Sequence, residues 1–242
     1  MVSGPLPTRP AKAAEVRRMF SAIARRYDLL NHLLSLNRDR AWRRAAVDRL
    51  VGGGAPTGIY LDACAGTFDL AVELATRASF AGDVLAFDFA YPMLAAGRGK
   101  LPGRRILPAC ADALNVPLAD ASVDGAMVAF GVRNLSDLDS GLRELARVIR
   151  PGGRVVILEF TTPGWQPFRA LYLWYFRTIL PRIGRAISRH DSAYSYLPTS
   201  VLDFPEPREL ARRLSAAGFD AVRWDSKTGG IVAIHAGERA LR

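Results

Sequence analysis

Leu61-Asp62-Ala63-Cys64-Ala65-Gly66-Thr67-Phe68-Asp69 carries a short apolar run that begins at Ile59 into a helical pattern that opens at Leu70. A strand that turns through small residues straight into a helix is the first unit of a doubly wound α/β sheet. There the turn lets backbone approach a ligand and the helix presents its N-terminus to it. Gly66 and Thr67 are the candidate contacts. Only one glycine is present, and a small-residue turn with no ligand reads the same way at this stage.

Outward from this turn, short apolar runs alternate with helical periodicity: Val84 to Phe87, Tyr91 to Gly97, Arg105 to Ala109, Gly125 to Phe130, Leu138 to Arg150 and Val155 to Phe160. Strands alternating with helices imply a parallel sheet covered on both faces. Asp88 closes the second strand, where a carboxylate can accept both hydrogen bonds of a ribose diol; a solvated Asp capping the helix ahead of Pro92 is the alternative. Asp112-Ala113, after the third strand, stands where the adenine edge of a nucleoside would fall, or is an ordinary turn.

Before this frame, Val16, Met19, Phe20, Ile23, Tyr27 and Leu30 recur at spacings of three and four, which predicts one amphipathic helix from Ala13 to Leu30. A second helix, Arg38 to Leu50, carries Trp42, and the glycine-rich loop from Gly52 ends the cap. From Pro163 the rhythm changes to an aromatic, basic segment with Trp165, Phe168, Tyr172, Trp174, Arg169 and Arg177, after which a helix (Pro207 to Ala217) and strands at Ala221 to Trp224 and Ile231 to His235 resume the frame. The organisation expected is a helical cap over 1–54, an α/β core over 55–163, an inserted helical segment over 164–198 and completion of the core over 199–242.

The 242 residues suffice for one well-buried core, and the 50% apolar, 23% charged composition is that of a globular protein. Cys64 and Cys110 form no CxxC pair and the three histidines are scattered, so neither a disulfide framework nor a metal site is expected. The first residues lack the apolar run of a signal peptide, and no stretch reaches a membrane-spanning length, which reads as cytoplasmic. A net charge of +10 suits a phosphate-rich surface, nucleic acid or the anionic face of a membrane, or records only an arginine-rich codon bias.

Val16-Arg17-Arg18-Met19-Phe20-Ser21-Ala22-Ile23-Ala24-Arg25-Arg26-Tyr27-Asp28-Leu29-Leu30-Asn31, Phe130-Gly131-Val132-Arg133-Asn134, Arg147-Val148-Ile149-Arg150-Pro151-Gly152-Gly153, Leu158-Glu159-Phe160 and Tyr194-Ser195-Tyr196-Leu197-Pro198-Thr199-Ser200 occur in this order. Together they resemble the ubiquinone/menaquinone biosynthesis C-methyltransferase family across Val16 to Gly237. The glycine-rich motif is common to many S-adenosylmethionine methyltransferases; the others are far more restricted. The resemblance implies a Rossmann-like enzyme with a mostly parallel seven-stranded sheet, an N-terminal helical cap and an inserted helical lid. Such an enzyme methylates a prenylated quinol with S-adenosyl-L-methionine.

By the same resemblance Thr67, Asp88, Asp112 and Ala113 line the cofactor site, and Asp62 and Gly66 shape the turn. Arg133 and Asn134, just past the fourth strand, are the candidate catalytic pair that favours the phenolate of the quinol. On the residues alone, Arg133 pairs equally well with a structural carboxylate, and Asn134 or Asp137 caps the next helix. Tyr27, Asn31, Tyr194 and Tyr196 are candidates for holding the head group, each Tyr reading also as an interior aromatic. His190 reads as part of an exposed turn.

Two positions depart from the family pattern: Phe68 and Asn37 stand where glycine is common. If position 68 requires φ > 0, Phe68 is strained there. The aromatic, basic insertion suits a lid over a greasy tail and transient association with the inner face of the membrane, or a helix whose rings fill the core. No nucleic-acid partner is expected and a homo-oligomer is admissible. The alternatives are a methyltransferase acting on another acceptor such as RNA, and a non-catalytic assembly partner of quinone-synthesising enzymes, the latter motivated by Phe68.

Overall fold

The short apolar runs of the sequence become a seven-stranded sheet in the order β3-β2-β1-β4-β5-β7-β6. The computed structural model describes residues 9–52, 54, 56–175, 178 and 191–241. The strands are β1 (Ile59–Ala63), β2 (Asp83–Asp88), β3 (Ile106–Cys110), β4 (Val123–Ala129), β5 (Ile149–Phe160), β6 (Phe219–Lys227) and β7 (Val232–Arg239). The first five pair in parallel, and β7 inserts antiparallel between β5 and β6. Chain order reverses between β1 and β4, paired through Leu61 and Ala126, so the crevice above their carboxyl ends is the place where such sheets bind ligands.

Helices cover both faces because strands buried on two sides must be capped by apolar stripes. On one face α3 (Arg38–Val51) and α4 (Asp69–Ala75) bury Trp42, Val47, Leu50, Leu70 and Leu74 against β1, β4 and β5. On the other, α6 (Leu138–Val148) and α9 (Pro207–Ala216) bury Leu142, Leu145, Leu210 and Leu214. Each such fully buried leucine contributes roughly 1.5–3 kcal/mol relative to an exposed one. Pro207 sits in the first turn of α9, where its missing N–H costs nothing. The helix α5 (Tyr91–Gly97) follows β2, with Pro92 in its first turn.

Three local expectations are corrected. The single helix expected over Ala13 to Leu30 is two, α1 (Arg9–Ile23) and α2 (Tyr27–Leu34), joined by a tight 3-10 turn over Ala24–Arg26. That turn buries Ala24 with Ala90 and Met93 of the α5 region, and spacings of three persist through it, so periodicity conceals the break. The helix expected to reach Arg150 stops at Val148, because Arg150 precedes Pro151 and is driven into extended backbone. Within the insertion lie α7 (Gln166–Trp174) and α8 (Asp191–Leu202); α8 runs on through Pro198, so a division at 198/199 cuts a helix. His190, Phe176, Arg177, Arg182, Arg185 and Arg189 lie outside the described residues, as does the side chain of Tyr194, whose backbone belongs to α8.

Candidate functional site

The turns that leave β1 and β4 meet above the reversal point, and the cap closes over them. Gly66 turns at φ +55°, a left-handed conformation easy only for glycine, and its N–H donates to Asp88 Oδ2 at 2.9 Å. Asp88 is 8% exposed; Oδ1 accepts from the Ala90 N–H at 2.8 Å. It is therefore a buried carboxylate and not the solvated cap of the alternative reading. Burial pushes its pKa up, against the two backbone N–H donors. Each oxygen keeps lone-pair capacity beyond its one bond.

Asp88, Gly66, Asp112 and Ala113 line one cleft, together with Phe89, Met93 and Asn134. Asp112 Oδ1 accepts from the Leu114 N–H at 2.9 Å, shaping the turn after β3. The cleft is narrow, about 60 Å³, because Ala13, Phe20 and Tyr27 of the cap lean over it. Asp62 and Thr67 do not line it; they border a smaller space beneath the turn. Asp62 is fully buried, accepts the Ala71 N–H at 3.0 Å, and so anchors the start of α4; burial raises its pKa well above the ordinary range.

The hydroxyl of Thr67 is taken by Asp28, to which it donates at 2.5 Å, and Lys100 Nζ bridges Asp28 (2.6 Å) and Asp69 (2.5 Å). This clasp ties the cap to the turn. Neither Asp28 nor Lys100 emerges from sequence reading, since pairing across 72 positions leaves no local signal. His32, Asp39 and Asp69 gather within 4.8 Å of one another, but Arg43 already bonds both carboxylates.

Phe68, one step on, adopts φ 72° and ψ 14°. Its ring is wholly buried in the core and turns away from the cleft; a Cβ on Gly97 would stand 2.6 Å from Phe68 Cδ2, so the absent side chain at 97 is what makes room for it. Asn37 likewise takes the left-handed conformation, at φ 58°, which an Asn tolerates.

Beside the cleft opens a second cavity of about 540 Å³, within the roughly 300–1,000 Å³ usual for small-molecule sites. Trp42, Phe130 and Phe160 pack edge to face and tilted along it, and Trp42 Nε1 donates to Thr228 Oγ1 at 2.8 Å. Phe20, Tyr27 and Phe130 line both this cavity and the cleft, so the three rings form a partition shared by the two.

Arg133, Asn31 and Tyr196 reach the larger cavity, and Asn134 the cleft. Arg133 does pair with a carboxylate: Nη1 donates to Glu159 Oε1 and to the Phe130 carbonyl, both at 2.6 Å, while Nε is buried without a partner. Asn134 does not cap α6, a task Asp137 performs through the Ser140 N–H at 3.1 Å. Instead Asn134 Nδ2 donates to the Phe130 carbonyl and Oδ1 accepts the Tyr196 hydroxyl at 3.0 Å. Burial pushes the pKa of Tyr27 up, against the neighbouring Asn31 amide and the charges of Arg133 and Arg43. Glu159 was missed as a site residue, although an acid inside the run Val155 to Phe160 is itself a signal, because a buried carboxylate requires a partner.

Comparison with known proteins agrees with this geometry. The model of the ubiE/COQ5 methyltransferase family matches residues 8–239. A demethylmenaquinone methyltransferase of Mycobacterium sp. (strain KMS) is 46% identical over 229 residues, covering 94% of this chain and 95% of its own. The ubiquinone/menaquinone biosynthesis C-methyltransferase UbiE of Geobacter sp. (strain M21) is 43% identical, covering 94% and 97%. Among solved structures, a methyltransferase described as a possible histamine N-methyltransferase from Thermotoga maritima superposes with a TM-score of 0.62 at 16% identity over 93% of this chain and 99% of its own. A phosphoethanolamine N-methyltransferase 2 of Haemonchus contortus, solved with S-adenosylhomocysteine, gives 0.61 at 14% identity over 82% and 52%. The sheet order, the turn geometry and the near full-length match together place the chain in the ubiE/COQ5 methyltransferase family, and it is accordingly a methyltransferase.

Proposed function

We propose that the enzyme transfers the methyl group of S-adenosyl-L-methionine to a ring carbon of a reduced prenylated quinol, demethylmenaquinol and/or a 2-methoxy-6-polyprenyl-benzoquinol. The observation that carries this reading is the apolar 540 Å³ cavity that adjoins an acid-lined cleft and shares Phe20, Tyr27 and Phe130 with it as lining. A greasy ring on one side and a polar nucleoside on the other match the two linings. The first acceptor accords with the name of the mycobacterial relatives, and family membership weighs against RNA.

The donor supplies, when bound, a methyl group activated on a sulfonium. The residues present suit it: Asp88 offers buried carboxylate lone pairs for a ribose diol, Gly66 brings backbone close, and the turn at Asp112-Ala113 borders the base. Admitting a molecule of nucleoside size into a 60 Å³ cleft requires the cap wall to move outward. Thr67 and Asp62 serve by setting the turn, Thr67 through Asp28.

A ring carbon is a poor nucleophile unless an adjacent hydroxyl loses its proton, so the reduced quinol is the acceptor. Arg133 is the cation on the cavity wall that favours the phenolate. Asn134 acts by fixing the hydroxyl of Tyr196, and Tyr27, held neutral by burial, offers an O–H donor beside Asn31. The aromatic walls exclude water. A non-catalytic role lost its motive once Phe68 turned away from the cleft. Deleting the gene should make the demethylated quinone accumulate; an unchanged quinone pool would rule the function out.

The cavity opens at exposed Leu36, Leu171 and Trp174, with Leu29 and Leu33 continuing along α2 and the exposed Arg38 and Arg40 beside them. Among the described residues no helix is long and apolar enough to cross a membrane. An apolar rim with adjacent positive charge fits a cytoplasmic enzyme whose rim rests on the anionic membrane face, the tail leaving through the mouth. In flotation with anionic liposomes the enzyme should rise at low salt and sink as salt increases, and the Leu33→Glu/Leu36→Glu variant should stay at the bottom. No association at any salt contradicts the membrane reading.

A further inference from the structure

Glu159 is 1% exposed, one residue before the end of β5 and between two apolar neighbours. Such a carboxylate is costly in the core unless fully paired, and it is: Oε1 accepts from Arg133 Nη1 at 2.6 Å and from the Phe160 N–H at 2.8 Å, Oε2 from the Arg133 N–H at 3.3 Å. Arg133 Nη1 also donates to the Phe130 carbonyl, and its guanidinium carbon lies 5.3 Å from the centre of the Phe160 ring. The guanidinium is thus pinned at Nη1 and laid against an aromatic face on the cavity wall; Nε is wholly enclosed, and Nη2 makes no hydrogen bond among the described residues. Glu159 itself does not line the cavity.

We propose that Glu159 is a positioning residue for acceptor methylation, acting only through Arg133, whose guanidinium it holds against the cavity wall so that Nη2 remains for the hydroxyl oxygen of the acceptor. The inference rests on the reading of Arg133 as the acceptor-side cation. It assigns the fold-buried pair a task beyond joining the ends of β4 and β5. An arginine that keeps its charge but loses this hold has five donors on a flexible stem and no fixed direction.

The test compares the full-length wild type with Glu159→Gln, Glu159→Ala, Arg133→Met and Arg133→Met/Glu159→Met. For each, calorimetry with S-adenosylhomocysteine counts folded donor sites, and kcat per site and KM are measured with demethylmenaquinol. Glu159→Ala should lose about 100-fold in kcat, in line with removal of one positioned donor. Glu159→Gln, which keeps the length and one acceptor oxygen, should recover about tenfold of that, and KM and donor affinity should stay within threefold in both. The double variant should match Arg133→Met, because Glu159 has nothing left to position.

A structural role alone would reduce the number of donor sites and leave kcat per site intact. Either Glu159 variant keeping kcat per site within threefold of wild type overturns the proposal. So does a double variant another tenfold below Arg133→Met, and this comparison stands even if Glu159→Ala does not fold, since replacing both charges by apolar residues is the substitution buried pairs tolerate best. A wild type that methylates neither quinol instead defeats the function proposed above.

Discussion

Asp88→Ala should weaken S-adenosylhomocysteine binding by about 1,000-fold and abolish turnover. Two hydrogen bonds from a ribose diol to a carboxylate are worth about 1.5–3 kcal/mol each, so their joint loss spans roughly two to four decades. The same change leaves the Gly66 and Ala90 N–H groups without the acceptor each has at 2.9 and 2.8 Å, which loosens the turn itself. Asp88→Asn separates the two contributions, since its one carbonyl oxygen can still serve one backbone donor; its loss should be about 10- to 100-fold. Calorimetry on both variants, with circular dichroism for folding, decides the matter. A folded Asp88→Ala enzyme that binds within tenfold of wild type would remove Asp88 from the donor site.

The second large effect concerns stability. Phe68→Ala should cost about 4 kcal/mol, because a wholly buried ring is deleted from a packed core. For a chain of 242 residues this lowers Tm by about 8–16 °C. Position 68 also holds a left-handed backbone, which costs a residue with a Cβ roughly 1–2 kcal/mol. Phe68→Gly therefore loses the same ring but sheds that strain, and should melt above Phe68→Ala, the reverse of the usual alanine-over-glycine order at the start of a helix. If alanine proves at least as stable as glycine there, the strained conformation is not what holds Phe68. The phenylalanine is accommodated at this left-handed position because Gly97 carries no side chain.

The alternation of short apolar runs with helical periodicity carried the α/β frame, since strands covered on both faces are apolar along their length and the helices that cover them are apolar on one side. The small-residue turn at Gly66 was legible as a strand passing into a helix, while the strand order and the burial of Asp88, which the sequence left open against a solvated cap, come from the fold. What escaped notice depends on distance. Asp28, Lys100 and Thr67 meet from three elements, and nothing near any of them announces the others. Arg133 offered two readings, acceptor-side cation or partner of a structural carboxylate; the structure shows the pair, because Glu159 approaches from β5, and sets Arg133 on the cavity wall. The break at Ala24 hid behind spacings of three common to two kinds of helix.

The three rings that belong to both chambers give the molecule one further property. A guest that braces Phe20, Tyr27 and Phe130 from one side changes the affinity of the other side for its own guest, and thermodynamic linkage makes the factor the same in both directions. On the proposed function, methyl donor and acceptor would report to one another through this shared screen of aromatic edges, and spent donor would be held less tightly once the methylated ring has left.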